Sequence, residues 1–229
     1  MLHVNTRKRH HVASFDYKLG SHNLLSVVSQ NDLGIMVSNN FNWKIHINQM
    51  ICKANRILGL IRHTCNEIKD SVTRKILYLA HVRPILEYGS EIWNPSAKGL
   101  IISIEKIQRR ATRFILQSSA PYEDRLKELN LSSLEDRRKF KDNILLFKGL
   151  YDMSFISLQD KVHFRGSESF YLRSSDSPTI IPNKCNTNTF KQSFFNRVYN
   201  SWNDLPAELR NVQIFPLFKS GLIDHYNSS

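Results

Sequence analysis

Over the first 41 residues the apolar positions come in short runs, and from residue 42 onward they recur every three or four positions. VASFDYKLG and LLSVVSQNDLGIMV, rich in Val, Ile and aromatics, flank Gly20-Ser21-His22-Asn23 and predict a short antiparallel β unit. Beyond Asn42, which can act as a cap, Ile47, Met50, Ile51, Ala54, Ile57, Leu58 and Ile61 trace one face of a helix of about five turns.

Asp70 or Ser71 can cap a second helix with Val72, Ile76, Leu79 and Ala80 on its apolar side, running to Pro84. There the missing amide and the ring force a kink or a restart. RPILEYGSEIWNP follows. If residues 85–93 are helical, Glu87 and Glu91 lie one turn apart on a shared face, Arg83 pairs with Glu87, and Ile85, Tyr88, Ile92 and Trp93 turn into the core.

A third helix, from about Leu100 to Gln117, divides most clearly. Leu100, Ile104, Ile107, Ala111, Phe114 and Ile115 form one side, and Lys106, Arg109, Arg110 and Arg113 the other. Pro121 opens a short segment, and Ser133 with Asp136 has capping-box spacing for a helix ending near Tyr151. The polar stretch that follows predicts an irregular excursion, with one possible strand at 169–173. Helical pattern returns at the end, where Phe194, Phe195, Val198, Tyr199 and Trp202 offer a large aromatic contact surface.

The expected fold is therefore mainly α with a small antiparallel β unit at the N-terminus. Its parts are a β unit over 1–41, a helical domain over 42–152, an irregular excursion or hairpin over 153–189 and a C-terminal helical segment over 190–229.

Charge adds a partner to this picture. Lys and Arg number 32 against 20 Asp and Glu, a net +12 over 229 residues, and such an excess points to nucleic acid or an acidic membrane surface. No apolar run approaches the roughly 20 residues of a membrane span, so RNA, DNA or their hybrid is the expected partner, with no membrane and no small-molecule substrate. Three cysteines without framework spacing and no apolar leader behind MLHVNTRKRHH predict an unsecreted, nuclear or cytoplasmic protein.

Catalytic chemistry finds little support. No aromatic-x-Asp-Asp, His-Glu-x-x-His, Gly-x-Ser-x-Gly, P-loop or dinucleotide fingerprint occurs. Tyr122-Glu123-Asp124 and Glu135-Asp136 read as helix-start acids. No catalytic residue, metal site or cofactor is assigned, and a nuclease built on Glu87 and Glu91 would lack the further carboxylates that two-metal chemistry requires.

The basic positions carry the site prediction. Lys106, Arg109, Arg110 and Arg113 follow the 3, 4, 7 spacing of a single face, as phosphate contact would require. Lys53, Arg56 and Arg62 on the first helix and Arg74 and Lys75 on the second add charge over the same helical core. The alternative reading of all nine is a solvated face.

Five segments, in order, carry a family resemblance: NDLGIMVSNNFNWKIHI (31–47), KANRILGLI (53–61), LYLAHVRPILEYGSEIWNP (77–95), IEKIQRRATRFI (104–115) and FFNRVYNSWNDLP (194–206). The chain resembles the C-terminal part of non-LTR (LINE-type, jockey and CR1-like) retrotransposon reverse transcriptases. The resemblance implies that Asp32-Leu33-Gly34 lies at the palm edge and that the following helices form a thumb-like bundle gripping the template-primer. It also implies that the catalytic aspartates of this RNA-directed DNA polymerase family, with their Mg²⁺, belong to a segment upstream. This chain would then be a fragment that binds nucleic acid and is no enzyme by itself. Asn31 departs from the lysine common in the family before Asp-Leu-Gly, and Glu87 in LEYG fits the pattern where Glu91 does not. The alternative is a non-catalytic protein-interaction fragment or a non-functional retroelement relic.

Overall fold

A computed structural model describes residues 2, 17–151, 153, 157–158, 161–164 and 179–228. The expected strand at 169–173 and the first part of the predicted β unit, 12–16, lie outside these residues. The chain is mainly α, with two small antiparallel sheets ahead of the helices, as the patterning predicts.

The β region is smaller than the apolar runs suggest. β1 (Lys18–Leu19) pairs with β2 (His22–Asn23), and β3 (Ser29–Asp32) separately pairs with β4 (Ile35–Ser38), so the expected single unit is two hairpins. Leu25 and Val28 are exposed between them and fall outside any strand. Leu33 and Gly34, both at positive φ (46° and 84°), join β3 to β4. That is the pattern of a two-residue I′ turn, whose twist matches the strands.

Helix α1 (Lys44–Thr64) buries Ile47, Met50, Ala54, Leu58 and Ile61. Asn42 Oδ1 accepts from the Lys44 N–H at 2.9 Å at its start. Asp70 caps α2 (Ser71–Leu77) by accepting from the amides of Val72 and Thr73. The predicted apolar side of α2 is corrected: Val72 and Ile76 are 61% and 58% exposed. Arg74, Tyr78, Val82 and Leu86, at steps of four, are buried instead.

Between α2 and Pro84 the chain widens into a π turn over Tyr78–Val82, closed by the Arg83 N–H on the Tyr78 carbonyl. Pro84 offers no N–H and crowds the carbonyl four residues back, and the wider turn relieves both demands on the way into α3 (Arg83–Glu87). Gly89, at φ 61°, then breaks the helix, and α4 (Ser90–Trp93) starts afresh. Glu87 and Glu91 therefore sit on two different short helices. Tyr88 and Ile92 are exposed rather than in the core, while Trp93 is fully buried.

Helix α5 (Lys98–Leu116) buries Ile104, Ile107, Ala111 and Ile115 as predicted, and also Gln108 and Thr112. Gln108 is a hub. It accepts from Tyr78 Oη at 2.7 Å and donates to Tyr122 Oη and the Ser132 carbonyl, both at 3.0 Å. These bonds tie α5 to the π turn, to α6 (Tyr122–Glu128) and to the segment before α7 (Leu134–Leu150). Ser133 caps α7, with the Asp136 N–H donating to Ser133 Oγ at 3.0 Å; the reciprocal contact of the predicted box runs to the Asp136 carboxylate from the Ser133 hydroxyl, at 2.6 Å, rather than from its amide.

Two hydrophobic clusters result. The first gathers β4, α1, the π turn, α3, α4 and α5, and ends at Leu134. The second joins Leu146, Phe147 and Leu150 of α7 to α9 (Phe194–Asn203), α10 (Ala207–Arg210) and α11 (Phe215–Ser228), with the short α8 (Asn188–Lys191) beside α9. Helix α7 thus spans both clusters, and Val198, Tyr199 and Trp202 are core residues of the second. Among the described residues no helix is long and apolar enough to cross a membrane.

Candidate nucleic-acid interface

Helices α1 and α5 run side by side in the same direction. Arg110 donates to Asn55 Oδ1 across the seam, and further along Arg62 and Asn66 face Arg113 and Gln117. The matched spacing brings the C-terminal halves of both helices together. A cavity of about 700 Å³ opens between them, lined by Gly59, Arg62, His63 and Asn66 from α1 and its end, and by Arg110, Arg113, Phe114 and Gln117 from α5 and its end. No carboxylate lines it. Among the described residues Arg62 and Arg113 have no ion-pair partner.

The site is braced from beneath by Arg74, which the sequence reading counts among the nucleic-acid contacts. That assignment is corrected: Arg74 is 1% exposed, its Nη1 donates to the Phe114 carbonyl at 3.1 Å, and its guanidinium lies 4.9 Å from the Phe114 ring centroid. The last carbonyls of a helix have no partner within it, and Arg74 supplies one from a neighbouring helix. Arg125 braces the other side, reaching the carbonyls of Arg109, within α5, and Ser118, just beyond its end. Burial first, then the neighbouring charge of Arg113, disfavours the Arg125 cation, a sign of concentrated positive charge at this end of α5.

The remaining predicted residues divide. Arg110 is held in the groove by Asn55 and by the Lys106 carbonyl at 3.4 Å. Arg109 turns the other way, its guanidinium 4.2 Å from the Tyr122 ring centroid and 4.0 Å from Glu123 Oε1. Lys106 and Arg109 line a separate cavity against α6. Lys53 and Arg62, nine residues apart, are about 180° apart around a helix axis, so Lys53 lies on the opposite flank of α1. Arg56 is exposed on the same helix, outside the groove lining. Lys75 is half-buried on α2 and also outside it.

His63, Asn66 and Gln117 join the groove without having been expected there. Gln117 adopts a left-handed conformation, φ 50°, that ends α5. Helix periodicity could have found His63, which follows Arg62 and lies one turn beyond Gly59. Gln117 depends on where α5 stops.

The paired carboxylates have a different fate. Glu87 is buried and accepts both Arg137 Nε and, at 3.0 Å, Arg137 Nη2, with Lys141 Nζ at 3.5 Å and Arg83 Nε at 3.7 Å. The expected Arg83 pairing is present but secondary. Burial opposes the Glu87 charge, and Arg137, Lys141 and Arg83 overcome that and hold its carboxyl below the usual range. A carboxylate enclosed by three cations has no open position for a metal.

The resemblance motifs meet in space. Tyr88 Oη donates to the Leu33 carbonyl at 2.8 Å, so LEYG braces the Asp-Leu-Gly turn. A Cβ on Gly89 would stand 2.6 Å from Ile35 Cδ1, and the Trp93 indole donates to the Tyr88 carbonyl at 2.6 Å, with its ring 5.6 Å from that of His46 and tilted by 57°.

In comparisons with known proteins, no protein-family model matches the chain, and no solved structure matches it. The chain is 34% identical over 116 residues to an uncharacterized protein of Caenorhabditis elegans, B0403.1. The match covers 47% of this chain and 56% of that protein, so the chain spans about half the length of the curated relative it matches.

Proposed function

We propose that this chain is a thumb-like, non-catalytic portion of a non-LTR retrotransposon reverse transcriptase, and that it holds RNA, DNA or their hybrid along the α1/α5 surface. The observation that carries the reading is the convergence of Arg62, Arg110 and Arg113 on one cavity without a carboxylate. Phosphate contact needs cations that no carboxylate neutralises, spaced along a surface. The five ordered sequence segments support the family, and the mutual bracing of Asp32-Leu33-Gly34 and Leu86-Glu87-Tyr88-Gly89 is consistent with their acting as one structural unit.

The chain has no aromatic-x-Asp-Asp, so the proposed role is to position a duplex, with polymer chemistry and its Mg²⁺ belonging to other residues. A second reading rests on helix electrostatics. The groove lies where two parallel helices end, and cations there offset the partial negative charge of both C-termini by about 0.3–1 kcal/mol each. On that reading Arg62, His63 and Arg113 stabilise the protein and bind nothing, as in an interaction fragment or relic.

Fluorescence anisotropy with a labelled RNA–DNA hybrid separates the two. Three groove arginines would give a slope of log affinity against log salt of about −2.7, and Arg56 with Lys106 would steepen it to about −4.5. Absent or salt-indifferent binding by a folded protein favours the second reading.

A further inference from the structure

The corner after β4, the loop after α4 and the α8–α9 region enclose another cavity, of about 880 Å³, within the range of small-molecule sites. Its chemistry is opposite to that of the basic groove. Phe41, Trp43, Phe190, Phe194 and Phe195 line it together with Glu91, and no Lys, Arg or His does. Phe41 and Trp43 lie 6.2 Å apart with rings tilted by 45°, and Phe194 meets Phe195 edge-on at 5.6 Å. Phe41 holds a left-handed backbone, φ 53°, an uncommon conformation for a bulky residue, and the residue remains 37% exposed.

The Glu91 carboxylate makes no ion pair or hydrogen bond among the described residues; only its backbone carbonyl is engaged, by Arg197 at 2.9 Å. Arg197 itself, 5.9 Å from the Phe194 ring centroid, is committed to Asp142 through Nε at 2.7 Å.

We propose that this cavity binds a small organic cation, an alkylated ammonium on an apolar body. Its charge sits between Glu91 and the ring faces, and its hydrocarbon lies against the phenylalanines. Ring faces carry negative electrostatic potential and attract weakly hydrated cations. The uncommitted carboxylate adds Coulomb attraction and repels phosphate, and the aromatic rings, set among uncharged polar groups such as Asn94 and Gln192, favour a weakly hydrated cation over a strongly hydrated metal ion. This is a binding site, and no reaction is assigned to it.

The test compares benzyltrimethylammonium with its uncharged isostere, in which carbon replaces the nitrogen, using the full chain. Of the three tryptophans only Trp43 lines the cavity, so a fluorescence change on titration is assigned to Trp43 and should vanish in Trp43→Phe. By calorimetry the cation should bind about tenfold or more tightly than the isostere, a difference of about 1.4 kcal/mol. That preference should be lost in Glu91→Gln, while Phe190→Ala should weaken both ligands. The wild-type thermal melt should persist in Glu91→Gln, because that side chain makes no described hydrogen bond or ion pair and its charge only repels that of Asp142. Equal binding of the two ligands, a preference that survives Glu91→Gln, or no saturable binding of the cation overturns the proposal.

Discussion

Replacing Glu87 with glutamine removes one charge from an enclosed cluster of four charged side chains. The Glu87 side chain is 8% exposed, while Arg83, Arg137 and Lys141 around it are 22%, 27% and 30% exposed. Breaking a buried pair costs about 3–5 kcal/mol when the orphaned partner cannot reach water. Here the partners can hydrate in part and glutamine keeps one acceptor for Arg137, so the loss should be about 2–4 kcal/mol. For a chain of this size that is a fall in Tm of roughly 5–15 °C.

The pH dependence has a definite sign. The Glu87 pKa lies below its usual value in the folded protein and near about 4.3 when unfolded. Its contribution is therefore complete above the unfolded value and lost as pH falls through the folded one. Asp142, whose pKa burial raises despite Arg197, titrates in wild type and variant alike and cancels in the difference. Urea unfolding followed by circular dichroism should show the two proteins well separated at neutral pH and converging in acid. Equal stability at neutral pH, or a gap that persists unchanged in acid, refutes the account of this cluster.

Two substitutions probe the contact between the sequence motifs. Gly89→Ala adds a Cβ at 2.6 Å from Ile35 Cδ1 on a backbone at φ 61°. It should lower stability by about 2–3 kcal/mol in a denaturant melt, from the left-handed cost of about 1–2 kcal/mol plus repacking. Leu33→Asn should instead stabilise by up to about 1 kcal/mol, since Leu33 is 84% exposed in a left-handed turn position that asparagine tolerates better.

Local chemistry was readable from the sequence where its partner lies within a turn or two. The buried stripes of α1 and α5, the Asp70 cap and the Ser133 cap needed only periodicity and short spacing. The face of α2 was not readable, because arginine is ordinarily placed outside. Arg74 is inside since a carbonyl 40 residues away, at the end of α5, needs a donor. The ionic role of Glu87 is not legible in the sequence, because Arg137 and Lys141, its principal partners, lie 50 and 54 residues further on. The signal that separates Glu87 from Glu91 was present as Gly89, placed where a left-handed glycine ends a helix. Of the basic residues, spacing identified the exposed side of α5 but not its division, which depends on Asn55 drawing Arg110 to one side and Tyr122 drawing Arg109 to the other.

The central claim is that the α1/α5 groove, rather than net charge alone, holds nucleic acid. Its most direct test measures hybrid-duplex affinity for Arg113→Glu against Lys53→Glu at one fixed, moderate salt concentration. Both change the net charge equally, but only Arg113 lines the groove. At least a tenfold loss is expected for Arg113→Glu, and a loss of about threefold or less for Lys53→Glu. Equal losses from the two variants, or full affinity retained in Arg113→Glu, would contradict it.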